Sequence, residues 1–258
     1  MTIAPAGTLP LARLAALFSA GYEGYLVPVQ VDEAALSSMV AAWDIDLTRS
    51  RVALRDGEPV GVCLLGVRGA RGWIGGLGVV PAARRQGVGR ALMQAVLDQA
   101  PSLVTLEVIE RNEPAIKLYE ELGFARTRIL EVWSLAAATP AAEARTVTPR
   151  PLGQSCLPWQ RADESLPPGY VRLEVDGGAA LVRTSGPRVS VLQLAAVDED
   201  AAAALLRAAR GDAEILQYVN VPEGDPATDA LRALGGVLDL RQLELERDQR
   251  LMSASVVA

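Results

Sequence analysis

From Leu77 to Leu92 the chain reads Leu-Gly-Val-Val-Pro-Ala-Ala-Arg-Arg-Gln-Gly-Val-Gly-Arg-Ala-Leu, and no other stretch restricts the fold as much. An apolar run ends near Val80, a basic, glycine-bearing loop covers Arg84 to Gly89, and Leu92, Met93, Val96 and Leu97 recur with helical spacing. A strand that feeds a helix through such a loop makes an anion cradle. The first N–H groups of a helix have no partner within it, the helix dipole places partial positive charge there, and Gly87 and Gly89 let a phosphate approach the main chain. Arg84, Arg85 and Arg90 add full charges. A Gly-x-Gly before a helix also fits an ordinary tight turn, so the loop needs support from elsewhere in the chain.

Composition narrows the choice of ligand. A chain of 258 residues is long enough for two cores, and 50% hydrophobic with 22% charged residues suits a folded protein rather than a disordered one. The net charge of -6 argues against a broad phosphate-binding surface, so nucleic acid is not an expected partner and the arginines of the loop fit a small anionic ligand. Histidine is absent, which excludes Ser-His-Asp and Cys-His nucleophile systems and argues against a metal site. Cys63 and Cys156 have no metal-ligand spacing, and Cys63 sits in an apolar run as a small core residue. Leu11 to Phe18 is apolar but follows no basic residue, so a short amphipathic helix is expected rather than a leader. With no membrane-length run, a cytoplasmic location is expected.

Downstream of the loop, Leu103 to Ile109 reads as a buried strand, followed by Asn112, Pro114, Ala115, Leu118, Tyr119 and Leu122-Gly123-Phe124. Arg-x-x-Gly-x-Gly on Arg84, Gly87 and Gly89, then Leu106-Glu107-Val108, Asn112, Tyr119 and Leu122-Gly123-Phe124, resemble in order and spacing the GNAT superfamily of acyl-CoA-dependent N-acetyltransferases. The resemblance implies acetyl-CoA as co-substrate, held by Leu77, Val79, Arg84, Arg85, Gln86, Gly87, Val88, Gly89, Arg90, Asn112 and Tyr119. It also implies transfer to an amine acceptor, a small molecule or a peptide amino terminus. Many members carry a glutamate on the strand before the loop as general base. Here Gly75 and Gly76 stand in that strand, and with Gly78 they suit a bulge or a close backbone approach.

A replacement base lies on the next strand, where Glu107 precedes Tyr119 by 12 positions. That arrangement is similar to the ribosomal-protein alanine N-acetyltransferases, in which a strand glutamate and a helix tyrosine serve as base and acid. Glu107 equally fits a salt-bridged strand residue, and a carboxylate of reference pKa about 4.3 needs a water relay to deprotonate an ammonium of about 10. Tyr119 is a phenol able to protonate a departing thiolate, and Asn112 is placed to cap the helix before it.

Residues 9 to 20 and 31 to 43 have helical spacing, joined by Gly21-Tyr22-Glu23-Gly24-Tyr25. In the family this connection walls the acceptor site, which makes Tyr22, Glu23 and Tyr25 candidate substrate contacts. The tyrosines alternatively pack the loop onto the sheet. Asp44, Asp46 and Glu23 offer an acidic mouth for a cationic acceptor or a solvated surface.

The second half repeats the first. Strand-like runs at 170 to 175, 179 to 184 and 189 to 197 return, and Pro226-Ala227 and Leu234-Gly235 match Pro114-Ala115 and Leu122-Gly123 at one offset of 112 positions. In that register Tyr119 becomes Leu231 and Asn112 becomes Gly224, and Asp198-Glu199-Asp200 replace the glycine loop with groups that repel phosphate. The expected fold class is therefore α+β, two tandem GNAT (acyl-CoA N-acyltransferase) folds, each a mixed, mostly antiparallel sheet flanked by helices. Residues 1–138 would form a catalytic domain, 139–152 a linker and 153–258 a degenerate domain without a CoA site, covering the first domain or completing its acceptor pocket. The molecule would be a monomer built as a pseudo-dimer, or a homodimer. A sensor that binds acetyl-CoA without turning it over is the competing function.

Overall fold

The computed structural model describes residues 1–136 and 142–250. The described residues divide into two compact units, unit 1 of 1–127 with the segment from Glu244 on, and unit 2 between Arg128 and Leu243.

Unit 1 opens with β1 (Thr2–Pro5), α1 (Leu11–Gly21) and α2 (Glu33–Ala42). The start of α2 is set by Asp32, whose carboxylate accepts the Ala35 N–H at 2.7 Å. A meander of β2 (Arg51–Arg55), β3 (Glu58–Arg68) and β4 (Arg71–Val79) follows, then α3 (Val88–Leu97), β5 (Leu103–Ile109), α4 (Glu113–Glu121) and β6 (Ala125–Leu135). The strands of unit 1 lie in the order β1-β2-β3-β4-β5, and the place beyond β5 is taken by β12 (Val237–Asp248). Two of these strands cross the division of the chain. β6 leaves unit 1 after Thr127, and β12 enters it at Glu244.

The incoming segment is fastened within unit 1. Leu245 is fully buried, the Gln249 N–H donates to Ser102 O at 2.8 Å, Arg247 Nε donates to Leu122 O at 2.9 Å, and Thr127 Oγ1 donates to Glu244 O at 3.0 Å. On one face of the sheet Leu14, Leu17, Phe18 and Leu36 from α1 and α2 close over Val52, Val62 and Leu64. Burial of each such side chain contributes about 1.5–3 kcal/mol. On the other face α3 places Leu92 and Val88 against Gly61, where an added Cβ would meet them at 3.0 and 3.3 Å. Cys63 is fully buried with Sγ 3.7 Å from Met93 Sδ, as expected of a core cysteine.

The glycines of β4 have two uses. Registers pass from Leu64↔Gly76 to Leu65↔Ile74, so Gly75 is the extra residue of a bulge. At Gly78 the strand meets the end of α1, where a Cβ on Gly21 would lie 2.8 Å from the Gly78 Cα. Gly21 needs to be glycine because two main chains touch there.

Unit 2 repeats the plan with β7 (Arg145–Val147), β8 (Val171–Val175), β9 (Gly178–Ser185), β10 (Arg188–Ala196), α5 (Glu199–Arg210), β11 (Ile215–Pro222) and α6 (Pro226–Ala233). Its strand order is β6-β11-β10-β9-β8-β7, and its core joins Trp133 and Leu135 to Val191, Leu205, Tyr218 and Leu231. The architecture is α+β, as expected. The linker expected at 139–152 lies partly outside the described residues, at 139–141. The remainder contains β7, which pairs antiparallel with β8 and so extends the sheet rather than spanning a gap. The units also part at 127/128 rather than at 138, because β6 is shared along its length and 244–248 return to unit 1.

Candidate active site

β4 and β5 pair in parallel over four positions, from Arg71↔Leu103 to Ile74↔Leu106. β4 then runs on to Val79 and β5 to Ile109, and the two strands part. The Val80 N–H donates to Val60 O at 3.0 Å, which fixes the hydrogen-bonding phase of the β3–β4 pair. Gly76 and Gly78 face β3, so the main-chain groups of Leu77 and Val79 are directed into the fork. A cleft of about 720 Å³ fills this fork and is lined by Leu77, Val79, Glu107, Asn112, Tyr119 and the Arg84–Arg90 loop.

The loop forms as its glycines require. Arg85 and Gly87 take left-handed backbone angles, φ +61 and +79, and α3 begins directly afterwards. The first intrahelical bond runs from the Ala91 N–H to Gly87 O at 3.0 Å, which leaves the N–H groups of Val88, Gly89 and Arg90 ahead of any helical acceptor. No atom lies within 4 Å of a Cβ built on Gly87, so the approach to these donors is open. Gln86 fastens the loop by donating from Nε2 to Ala82 O at 2.9 Å.

The three arginines have different uses. Arg84 donates from Nε to Val79 O at 2.8 Å and from Nη2 to Gly21 O at 3.1 Å and Glu23 O at 2.6 Å. Its guanidinium thus ties the end of α1 to the end of β4, and it shapes the cradle more than it charges it. Arg90 pairs with Glu121. Arg85 is exposed on the loop.

Tyr119 projects from α4 with only 7% of its surface exposed, its ring edge-on to Phe124 at 6.0 Å. Asn112 caps α4 through Oδ1, which accepts from the Ala115 N–H at 3.4 Å, and its Nδ2 donates to Tyr25 Oη at 3.5 Å. Tyr22 stacks with Phe18 at 4.9 Å and meets Tyr25 edge-on at 5.1 Å. Burial pushes all three phenols above the usual tyrosine range, and for Tyr119 the groups of Tyr22, Cys63 and Tyr25 beside it add to the effect. The Leu77 N–H is directed at the Tyr22 oxygen and partly offsets the rise there.

Glu107 stands on the wall of the cleft with Oε2 accepting from Trp73 Nε1 at 2.7 Å. Trp73 was not among the residues singled out from the sequence. The signal for it is its place two residues before Gly75 in β4. The parallel register Trp73↔Thr105 puts it on the same face as Glu107. Tyr22 and Tyr25 line the cleft, whereas Glu23 is exposed and is not one of the lining residues. Asp44 pairs with Arg68 at 2.6 Å, and Asp46 Oδ1 accepts from the Thr48 hydroxyl and the Thr48 and Arg49 N–H groups. Neither lines the cleft, so the acidic mouth does not form.

In unit 2 the strands equivalent to β4 and β5 also pair over four positions, Arg188↔Ile215 to Val191↔Tyr218, before they part. Here the chain fills its own fork. Arg161 donates from Nη1 to Asn220 O at 2.8 Å, from Nε to Leu192 O at 3.3 Å and to the Tyr218 hydroxyl, and its guanidinium lies 4.5 Å from the Tyr218 ring centre. Asp198 caps α5 by accepting the Ala201 N–H at 2.9 Å, with Glu199 and Asp200 in the first turn. The cap of α6 is Asp225, one residue beyond the Gly224 aligned with Asn112 by the offset of 112, because the helix starts one position later.

Among the described residues no cluster of His, Cys, Asp and Glu could hold a metal, and no helix is long and apolar enough to cross a membrane. The sequence model of the acetyltransferase (GNAT) family matches residues 16–124. A peptidyl-lysine N-acetyltransferase of Escherichia coli, YiaC, is 50% identical over 46 residues, 18% of this chain, and the match spans only 31% of that relative's length. Among solved structures, a GCN5-related N-acetyltransferase from Sphaerobacter thermophilus superposes with a TM-score of 0.72 at 17% identity, covering 96% of this chain and 95% of its own. A tandem GNAT protein from the clavulanic acid biosynthesis pathway superposes with a TM-score of 0.65 at 17% identity, covering 96% and 98%. The fold is thus two tandem GNAT folds, and residues 16–124 match the acetyltransferase (GNAT) family model.

Proposed function

We propose that the chain is an acetyl-CoA-dependent N-acetyltransferase with one active site, in unit 1. The observation that carries this reading is the fork itself, with the main chain of Leu77 and Val79 turned into it, the free N–H groups of α3 at one end and the buried Tyr119 hydroxyl on its wall. These residues fit acetyl-CoA. The donors of Val88, Gly89 and Arg90 suit a pyrophosphate, and the strand edge suits the amides of a pantetheine arm. Gly89 has no contact that demands a glycine, since a Cβ there would meet Leu118 and Leu77 at 3.7 and 3.8 Å, so its small size serves the bound molecule.

When bound, acetyl-CoA supplies an activated acyl carbon. The chain does the rest by placement and proton control. Strand N–H groups of β4 would polarise an acyl carbonyl set in the fork, that of Leu77 once the Tyr22 oxygen it faces gives way. Glu107, through water, would take one proton from the acceptor ammonium so that the neutral amine attacks; as the carbon–sulfur bond breaks, the Tyr119 hydroxyl would give its proton to the sulfur and regain one, through water, from the nitrogen that has become the amide. Burial keeps that hydroxyl protonated at neutral pH, which is the state an acid must be in.

Unit 2 has no corresponding site in this reading. The carboxylates of Asp198, Glu199 and Asp200 stand where phosphate would bind, and the Arg161 guanidinium occupies the second fork. The acceptor is an amine, and the short match to a peptidyl-lysine enzyme adds a lysine-bearing peptide to the panel to be tried.

The test is calorimetric titration of acetyl-CoA together with thiol release over small amines, peptide amino termini and lysine peptides. One equivalent bound, with thiol released for at least one acceptor class, supports the proposal. Two equivalents overturn the reading of unit 2. Binding without release across the whole panel favours a sensor.

A further inference from the structure

We propose that Trp73 is the positioning residue of the general base, holding the Glu107 carboxylate toward the acceptor side of the sheet. This rests on the reading of Glu107 as the base. Three features of the fold single it out. Trp73 is 98% buried and donates its indole N–H to Glu107 Oε2 at 2.7 Å, a charge-assisted bond between neighbouring strands on one face. Its ring folds over the bulge residue Gly75, where an added Cβ would come within 2.6 Å of the indole, so a side chain at 75 and this tryptophan position are incompatible. Finally, the ring is braced edge-on by Trp43, the C-cap residue of α2, at 5.6 Å, which fixes its tilt.

The parts explain one another. The strand that precedes the glycine loop carries no carboxylate of its own, because glycine at 75 is what admits the indole. The indole in turn holds the carboxylate of the next strand. A glutamate on β5 has three side-chain torsions and, left to solvent, spreads over several rotamers. The fixed indole N–H beside the cleft favours one rotamer, and a braced aromatic ring supplies it with little further loss of entropy. Trp73 is not among the residues lining the cleft and in this scheme acts through Glu107.

The experiment combines Trp73→Phe, which keeps an aromatic ring over Gly75 and removes the donor, with Glu107→Gln and the double variant, each assayed for kcat, for KM of acetyl-CoA and by the 15N indole resonances. Trp73→Phe is expected to lower kcat roughly 10- to 100-fold, the span of a hydrogen bond to a charged group, with KM for acetyl-CoA unchanged. In the Glu107→Gln background it should have no further effect. The Trp73 indole N–H signal should lie downfield in the parent protein and move upfield in Glu107→Gln. An unchanged kcat, or an equal further loss in the Glu107→Gln background, overturns the positioning role. A Glu107→Gln variant of full activity refutes the base instead, and the indole shift then still reports whether the contact exists. If Trp73→Phe does not fold, an indole signal that fails to move in Glu107→Gln is sufficient to overturn the proposal.

Discussion

Replacing Tyr119 by phenylalanine removes one oxygen and leaves the rest of the site in place. The ring is buried against Phe124, and phenylalanine fills the same volume, so the aromatic contact at 6.0 Å survives. The cost to stability is at most about 1 kcal/mol. Affinity for acetyl-CoA, carried by the loop and the open strand edge, should change by less than about threefold. The rate should fall far more. A positioned general acid contributes about 10²- to 10⁴-fold, or roughly 3–5 kcal/mol of barrier. The hydroxyl is held well above the usual tyrosine range by burial, so the parent enzyme retains its acid throughout neutral and mildly alkaline pH. No fall in kcat from this group is therefore expected below about pH 10. Calorimetry on Tyr119→Phe, thiol release at saturating acetyl-CoA and a thermal melt give the three quantities separately. A kcat within threefold of the parent would refute the assignment of Tyr119 as proton donor.

Gly87→Glu should weaken acetyl-CoA by about a hundredfold or more, since a carboxylate some 4 Å from a phosphate costs on the order of 4 kcal/mol in a surface cleft. Gly87→Ala, with open space around its Cβ and only the φ of +79 to accommodate, should lose less than tenfold, and calorimetry separates charge from strain. Arg84→Ala strips hydrogen bonds from the Val79, Gly21 and Glu23 carbonyls and should lower the melting temperature by about 5 °C, with Arg84→Lys giving little rescue because an ammonium lacks the fork geometry. A melt within 1 °C of the parent would show that the three bonds are dispensable. Alkaline stability supplies the last test. Tyr22, Tyr25, Tyr119 and Tyr218 all titrate higher folded than unfolded, Tyr218 being pushed up to about 12 by burial. Their contribution is complete below the unfolded value of about 10 and is lost as pH rises through the folded values, about 3 kcal/mol for Tyr218 alone. Denaturant melts should be flat from pH 8 to about 9.5 and fall steeply above; a flat profile to pH 11.5 would contradict the burial.

What could be read from the chain alone was local. The glycine loop that opens α3, the Asn112 cap, the Gly75 bulge and the strand runs of the second half each follow from a few consecutive residues whose backbone preferences agree. What could not be read depends on partners far away in sequence. Arg84 looks like a phosphate ligand until its three carbonyl partners are known, two of them more than 60 positions distant. Glu23 belongs to a plausible acceptor loop, yet the turn that sends its carbonyl to Arg84 leaves it outside the cleft lining. The Trp73–Glu107 bond joins residues 34 apart through a parallel register that no local pattern encodes. Asp198-Glu199-Asp200 announced the altered helix start of unit 2 correctly, but nothing nearby indicated that Arg161 fills its fork.

The return of Glu244–Asp248 to unit 1 sets an order on the folding of the chain. On the ribosome, residues 1–127 are made first, but the strand that flanks β5 leaves the exit tunnel only after all of Arg128–Leu243. At roughly 5–20 residues per second this delay is on the order of ten seconds, long compared with the collapse of a small domain. Throughout it the outer edge of β5, the strand that carries Glu107, stays exposed to any other strand nearby. Completion of unit 1 thus waits on the synthesis of unit 2.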